Sequence, residues 1–328
     1  MKVRTISGPQ IEKLISMKET IEAVEKAFRS KGLGRVQMPP KSYVYFDKYQ
    51  GDFRTMPAYL EDLDVAGTKV VNAHPQNPHE HDLPTVMATI ILLDPKNGRP
   101  QAVMDGTLIT RLRTGAAGGI AAKYLARGNS RVVAMIGAGT QARTQLLAMD
   151  QISDIEEVRV QDIVREKAEE YAGELGEELD IDIRVVDGTE EAVRGSDIVV
   201  TVTPRRSPIL SNDWITEGMH INAIGADAPG KQELDPDILR RARIIVDDWE
   251  QSSHSGEISI PISQGKLTRD DICGELGEII AGKKGGRVSG EDITVFDSTG
   301  LAIQDVATAW KVYQKAEERD VGNKVDLL

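Results

Sequence analysis

The chain has 328 residues and a formal net charge of -12, from 40 Lys and Arg against 52 Asp and Glu. That balance argues against a nucleic-acid footprint, which needs cations clustered on one face. Its composition, 40% hydrophobic, 28% charged and 4% aromatic, is that of an ordinary globular protein, and the length predicts about two domains.

No apolar run approaches the ~18 residues of a transmembrane helix, and the opening MKVRTISGPQIEK lacks the apolar stretch of a signal peptide. The one cysteine, Cys273, excludes an intrachain disulfide and fits a reducing, cytoplasmic setting. Its surroundings, DDICGELGEIIAG, read as an amphipathic helix carrying a buried structural thiol.

In chain order, Ser16-Met17-Lys18-Glu19 has the spacing of a capping box, and Ile21, Val24 and Phe28 follow at helical intervals up to Gly32. Residues 36 to 105 change texture to short runs rich in β-branched and aromatic residues: KSYVYF, DFRTMPAYL, VAGTKVVNA, TVMATIILLD and PQAVMDG. With no long helix between them, these strands are expected to be mainly antiparallel. Helical character returns at Thr110 in TRLRTGAAGGIAAKYLARG, whose Ala and Gly residues let a helix approach its neighbours closely. From RVVAMIG onward strands and helices alternate, which predicts βαβ units on a parallel sheet. A last helix, LAIQDVATAWKVYQKAEE, follows that sheet and is expected to pack back on the first domain.

The clearest motif is VVAMIGAGTQAR, where Gly137, Gly139 and Ala142 form G-x-G-x-x-A after an apolar strand and at a helix start. The first glycine permits the tight turn, the second lets the backbone approach a pyrophosphate, and the alanine allows close helix packing. Thr140 and Gln141 open the helix whose N–H groups would meet the phosphates. Asp162 ends the next strand, EVRVQD, where an acid that binds ribose hydroxyls belongs. It favours NAD, while nearby Arg165 keeps NADP open.

Lys41, Arg54, Lys69 and Arg113 each stand in an apolar or small-residue segment of the first domain. One such cation is ordinarily a snorkelling side chain. Four together suggest a carboxylate site, since an Arg fork binds a carboxylate bidentately and a Lys adds a point charge. Asp227, in the loop of INAIGADAPGKQEL, is the acidic counterpart at a strand's carboxyl end, although an Asx cap on the following Pro-Gly turn is its plain alternative. The run His79-Glu80-His81-Asp82 lies in a Pro-rich loop and lacks helical metal-ligand spacing, so no metal is expected. His74 and His220 read as satisfied structural histidines.

These segments, in this order, resemble the ornithine cyclodeaminase and mu-crystallin family, most closely its archaeal alanine dehydrogenase branch. The resemblance runs through QMPPK, FRTMPA, TKVVNAHPQN, LPTVMA, AVMDGT, LRTGAAGGIAAKYLAR, IGAGTQA, INAIGADAPGKQELD and FDSTGLAIQDVATA. It implies an α/β protein with a Rossmann NAD-binding domain at 116–300. An α+β substrate-binding and dimerisation domain is implied at 1–115 and 301–328, its sheet pairing with that of a second subunit. It further implies that Arg54, Lys69 and Arg113 bind the substrate's carboxylate and carbonyl side in a cleft between the domains. Lys41 matches another basic pocket position, and Asp227 handles the amine.

The expected catalytic residues are thus Lys69 and Asp227. The cofactor residues are Gly137, Gly139, Thr140, Gln141, Ala142 and Asp162, extended by Thr203 and by Ser298. Asp297 and Ser298 lie near the nicotinamide by family position, or else the DST turn caps a helix. The resemblance implies a homodimer that works on small 2-oxo or amino acids and ammonia, without nucleic acid or membrane. Family members share one site for three reactions: reductive amination of pyruvate, cyclisation of ornithine to proline, and reduction of cyclic ketimines. The stretch GADA has alanine where cyclodeaminases commonly carry cysteine, which favours the dehydrogenase. Mu-crystallin relatives that serve as lens or hormone-binding proteins tolerate loss of the catalytic constellation, whereas this chain keeps all of it.

Overall fold

The computed structural model describes residues 2–327. They form two compact units, one made of the chain up to Arg113 with the segment from Leu301 onward, the other of Thr114–Gly300.

In the first unit the strands run in the order Asn323–Asp326, Lys2–Ile6, Pro100–Asp105, Val86–Leu93, Val65–Ala73, Gly51–Leu60 and Val36–Gln37, with Ser42–Phe46 also on Gly51–Leu60. All neighbours are antiparallel except Lys2–Ile6 beside Pro100–Asp105. The two strands at one end of this sheet, KVRTI and NKVD, carry no alternating apolar pattern and gave no strand signal. Paired residues share a face, so Arg54, Met56 and Ala58 lie with Val71, Lys69 and Gly67, and with Ile90 and Leu92. Helix Ala302–Glu318 covers this face and packs on helix Met17–Gly32. That helix begins as its capping box predicts, with the Ser16 hydroxyl accepting the Glu19 N–H and the Glu19 carboxylate accepting the Ser16 N–H. An ion pair of 2.6 Å between Lys315 and Glu19 joins the two helices.

The long helix spans Gly106–Leu125 and starts four residues ahead of Thr110. The reason is Asp105, whose carboxylate accepts the N–H groups of Thr107 and Leu108 at 3.0 and 3.2 Å and so extends the helix start.

The second unit is built on an eight-stranded sheet in the order Asp182–Val185, Glu157–Gln161, Val132–Ile136, Ile198–Thr201, His220–Ala223, Thr294–Asp297, Arg243–Val246 and Ile272–Glu275. Every pairing is parallel. The central strands Ile198–Thr201, His220–Ala223 and Thr294–Asp297 are buried along their whole length, as parallel strands covered on both faces must be. Gly115 and Gly118 let the long helix press on helix Thr140–Asp150: a Cβ at either would meet the Thr144 carbonyl at 2.3 Å or the Gln145 amide at 1.8 Å. Buried His220 is bonded on both ring nitrogens, to Thr294 at 2.9 Å and Asn222 at 3.0 Å, and burial holds it down at about 3.

Cys273 corrects one expectation. It is half-buried in the edge strand Ile272–Glu275, and the helix begins only at Leu276. Gly274, at φ +159°, interrupts the helical path, and the neighbouring strand Arg243–Val246 pairs with the segment.

Candidate active site

The first unit answers why a lysine stands in the middle of the apolar strand Val65–Ala73. Lys69 is 1% exposed, and its Nζ lies 2.7 Å from Asp305 Oδ2 and 3.3 Å from the Thr110 hydroxyl. Asp305, fully buried on helix Ala302–Glu318, also receives Arg113 Nε on Oδ1 at 3.0 Å. The Arg113 fork continues to Gln304 Oε1 at 2.8 Å. One buried carboxylate thus stands between two buried cations, leaving an excess of positive charge that an incoming carboxylate would match. Burial pulls the Lys69 ammonium down to about 7. Asp305 opposes that shift, while Arg113 and Lys41 reinforce it.

Arg54 shares the sheet face of Lys69 one row along. There it grips Asp52 with both arms, at 2.9 and 3.2 Å, and lies over the Tyr43 ring at 5.2 Å. Lys41 is half-buried just before strand Ser42–Phe46. Asp305, Gln304 and Asp52 were not anticipated. The available signal was a lone acid in the otherwise small and apolar stretch AIQDVATA.

In the second unit Gly137 turns with φ +103° and donates its N–H to the Gln161 carbonyl at 2.8 Å. Gly139 precedes helix Thr140–Asp150, whose first turn carries Thr140 and Gln141 and has no side-chain cap. A Cβ at Gly139 would meet nothing within 4 Å, whereas Ala142 is fully buried. The glycine edge is therefore open and the helix start has N–H groups to offer. Asp162 closes the turn by accepting the Ala138 N–H at 2.8 Å and the Val164 N–H at 2.9 Å. Arg165 is engaged by Glu169 and Asp187. An open cradle at a helix N-terminus with an acid at the second strand's end fits a dinucleotide.

Thr203 lies just past strand Ile198–Thr201 and gives both its N–H and its hydroxyl to Glu233 Oε1, at 2.7 and 2.6 Å. Asp227 is on the loop after strand His220–Ala223, 41% exposed and 2.5 Å from Lys231 Nζ. Ser298, buried, donates its N–H to the Ala223 carbonyl at 3.1 Å. Its neighbour Asp297 accepts the N–H groups of Glu257 and Ile258, at 3.0 and 3.2 Å, where helix Ser259–Ser263 begins.

The structure thus brings Lys69 and Arg113 together on Asp305, and gathers Gly137, Gly139 and Asp162 at one turn. Among the described residues no group of three or more His, Cys, Asp or Glu side chains is arranged to hold a metal ion. The HEHD run lies at and beyond the short helix Asn77–Glu80, with His79 to Asp82 exposed. No helix among the described residues is long and apolar enough to cross a membrane.

Comparison with known proteins agrees with this geometry. The family model for the ornithine cyclodeaminase/mu-crystallin family matches residues 3–320. An alanine dehydrogenase of Archaeoglobus fulgidus is 53% identical over 328 residues, covering 100% of this chain and 99% of the relative. A solved archaeal alanine dehydrogenase dimer with bound NAD superposes with a TM-score of 0.96 at 52% identity, over 100% of both chains. The Δ1-pyrroline-2-carboxylate reductase of Thermococcus litoralis, solved with NADH and L-proline, superposes with a TM-score of 0.95 at 43% identity, over 98% of this chain and 100% of that one. With this parallel sheet, this glycine turn and these relatives, the protein is an oxidoreductase that belongs to the ornithine cyclodeaminase/mu-crystallin family.

Proposed function

We propose that the protein is an NAD-dependent L-alanine dehydrogenase, catalysing the reversible reductive amination of pyruvate with ammonia and NADH. The observation that carries this reading is the buried Lys69–Asp305–Arg113 cluster. It offers two cations to a small 2-oxo acid, one of them with a proton poised near neutrality. Full-length similarity to the archaeal alanine dehydrogenases supports the choice of substrate.

In this reading Arg113, Arg54 and Lys41 hold the substrate carboxylate, and Arg54 exchanges Asp52 for it. Lys69 donates a hydrogen bond to the carbonyl or imine and supplies a proton as charge develops there. Asp227, with Lys231 beside it, orients ammonia or water. Gly137, Gly139, Thr140, Gln141 and Ala142 seat the pyrophosphate, Asp162 holds the ribose hydroxyls, and Thr203 and Ser298 flank the nicotinamide. When bound, NADH supplies the hydride. The engagement of Arg165 by two carboxylates favours NAD over NADP. The working form is a homodimer, as in the archaeal dehydrogenase dimer, in a cytoplasm that supplies the cofactor. The domain assignment is residues 1–115 with 301–328 for substrate and dimerisation, and 116–300 for NAD.

The similarity to a pyrroline-2-carboxylate reductase solved with L-proline favours a second reading, reduction of a cyclic ketimine. Purified protein assayed for NADH oxidation with pyruvate, with and without ammonium, separates the two when Δ1-pyrroline-2-carboxylate is run in parallel. Ammonium-dependent oxidation with pyruvate is the expected result. Turnover of the cyclic imine alone establishes the second reading. Release of ammonia from ornithine with catalytic NAD makes the protein a cyclodeaminase.

A further inference from the structure

The second unit contains a run of buried carboxylates that the dehydrogenase chemistry does not call on. Glu233, Glu257, Asp297 and Asp247 are all 0% exposed. Each of the first three links to the next through backbone. Asp297 accepts the N–H of Glu257 at 3.0 Å. Glu257 accepts the N–H groups of Glu233 and Leu234, at 3.0 and 2.7 Å. Glu233 accepts the Thr203 N–H and hydroxyl on Oε1, and the Gly225 N–H on Oε2 at 3.0 Å. Asp247 accepts the N–H groups of Thr299 and Gly300, both at 2.7 Å.

They gather at the carboxyl ends of four adjacent strands: Asp297 ends Thr294–Asp297, Asp247 follows Arg243–Val246, and Glu233, in the short strand Gln232–Leu234, bonds Thr203 and Gly225 just past Ile198–Thr201 and His220–Ala223, with Glu257 bonded to Glu233 and Asp297. That is the edge at which open parallel sheets bind ligands. The backbone is shaped to the carboxylates. A Cβ at Gly225 would lie 2.5 Å from Glu233 Oε2 and 2.3 Å from the Thr203 carbonyl, and one at Gly256 would lie 2.4 Å from Asp297 Oδ2. Burying four carboxylates together is costly, and burial raises Glu233, Glu257 and Asp297 above the ordinary carboxylate range. A neutral amide would accept some of these bonds at less cost, yet it cannot accept from N–H groups on both of its ends at once.

We propose that Glu233, itself set by Glu257 and Asp297, is a positioning residue for hydride transfer. By gripping Thr203 and Gly225 together it locks the ends of two neighbouring strands and fixes the loop that carries Asp227. The proposal rests on the reading of Asp227 and Thr203 as members of the active site.

The test is Glu233→Gln in the full-length protein, where the amide nitrogen must face an N–H donor. Three measurements are made: hydrogen–deuterium exchange resolved at Thr203 and Gly225 without cofactor, NADH affinity by fluorescence, and turnover. Exchange is expected to speed at least ~10-fold at Thr203 and by less at Gly225, whose N–H also meets the Thr201 carbonyl at 3.1 Å, and kcat to fall about 10²-fold, the scale of an ångström of misplacement. Asp227→Asn combined with Glu233→Gln is expected to be little slower than Asp227→Asn alone, because one residue acts through the other. Ile238→Val, a core truncation in the same unit, serves as a stability control that leaves the two amides protected. Unchanged exchange in Glu233→Gln, or losses that multiply in the double variant, overturns the proposal. If Glu233→Gln does not fold, Glu257→Gln must give the same pattern in weaker form, and its absence overturns the proposal equally. Exchange and NADH affinity are independent of the substrate, so failure of the alanine dehydrogenase reading is seen separately, in the pyruvate assay.

Discussion

In the first unit a buried aspartate, Asp305, stands between Lys69 and Arg113. In the second, four buried carboxylates accept their bonds from backbone N–H groups and hydroxyls. The first arrangement is an ion cluster with a surplus of positive charge, so its members depend on one another and remain able to bind an anion. The second spreads negative charge over fixed dipoles, which suits holding strand ends in place. Buried charge of the first kind is poised for chemistry, and of the second kind for rigidity.

Substitutions that remove one member from each region sharpen this contrast. Lys69→Met is expected to have the largest effect, lowering kcat by about 10² to 10⁴-fold with NADH affinity unchanged; retained turnover would remove Lys69 from the chemistry. Asp305→Asn strips two buried cations of their shared partner and is expected to cost about 3–5 kcal/mol in chemical denaturation. Asp297→Asn, which puts an amide nitrogen against one of two N–H donors, is expected to cost less, about 1–3 kcal/mol. Equal losses at the two aspartates would dissolve the distinction. Gly139→Val fills open space, so Tm should hold while NADH binding weakens by at least ~10-fold, or about 1.4 kcal/mol; unaltered affinity would move the pyrophosphate elsewhere.

The pH dependence differs in sign between the regions. Asp297 is raised to about 8, so between about pH 4 and 8 the folded state holds the extra proton and stability falls as pH rises. Lys69 is lowered to about 7, so between about 7 and 10.5 the unfolded state holds the extra proton and stability rises with pH. Urea titrations across pH should therefore show a shallower falling limb in Asp297→Asn, with Glu233 and Glu257 keeping the remainder, and should lose the rising limb in Lys69→Met. The same Lys69 proton predicts that oxamate, an unreactive pyruvate mimic, binds more weakly as pH passes about 7. A flat profile would separate the ammonium from anion binding.

Much of this was legible in the residues. The Ser16–Glu19 capping box, the antiparallel strands before residue 105, the alternation after 131 and the open Gly139 all follow from local pattern. So does the suspicion attached to Lys69. Cys273 was misread because apolar spacing over a few residues does not distinguish a helix from an edge strand followed by a short helix, and Gly274 decided the matter. Strand Asn323–Asp326 was missed because an exposed edge strand has no buried face to pattern.

The sequence by itself determined most of the elements, the phosphate turn and the presence of unusual cations, since those rest on periodicity and on backbone freedom within a few residues. The tertiary structure alone decided what neutralises them. Asp305 reaches Arg113 across 192 positions, and Asp297 reaches Glu257 across 40. A carboxylate's meaning depends on whether the chain brings it a cation or an N–H, and local pattern carries no record of which one arrives.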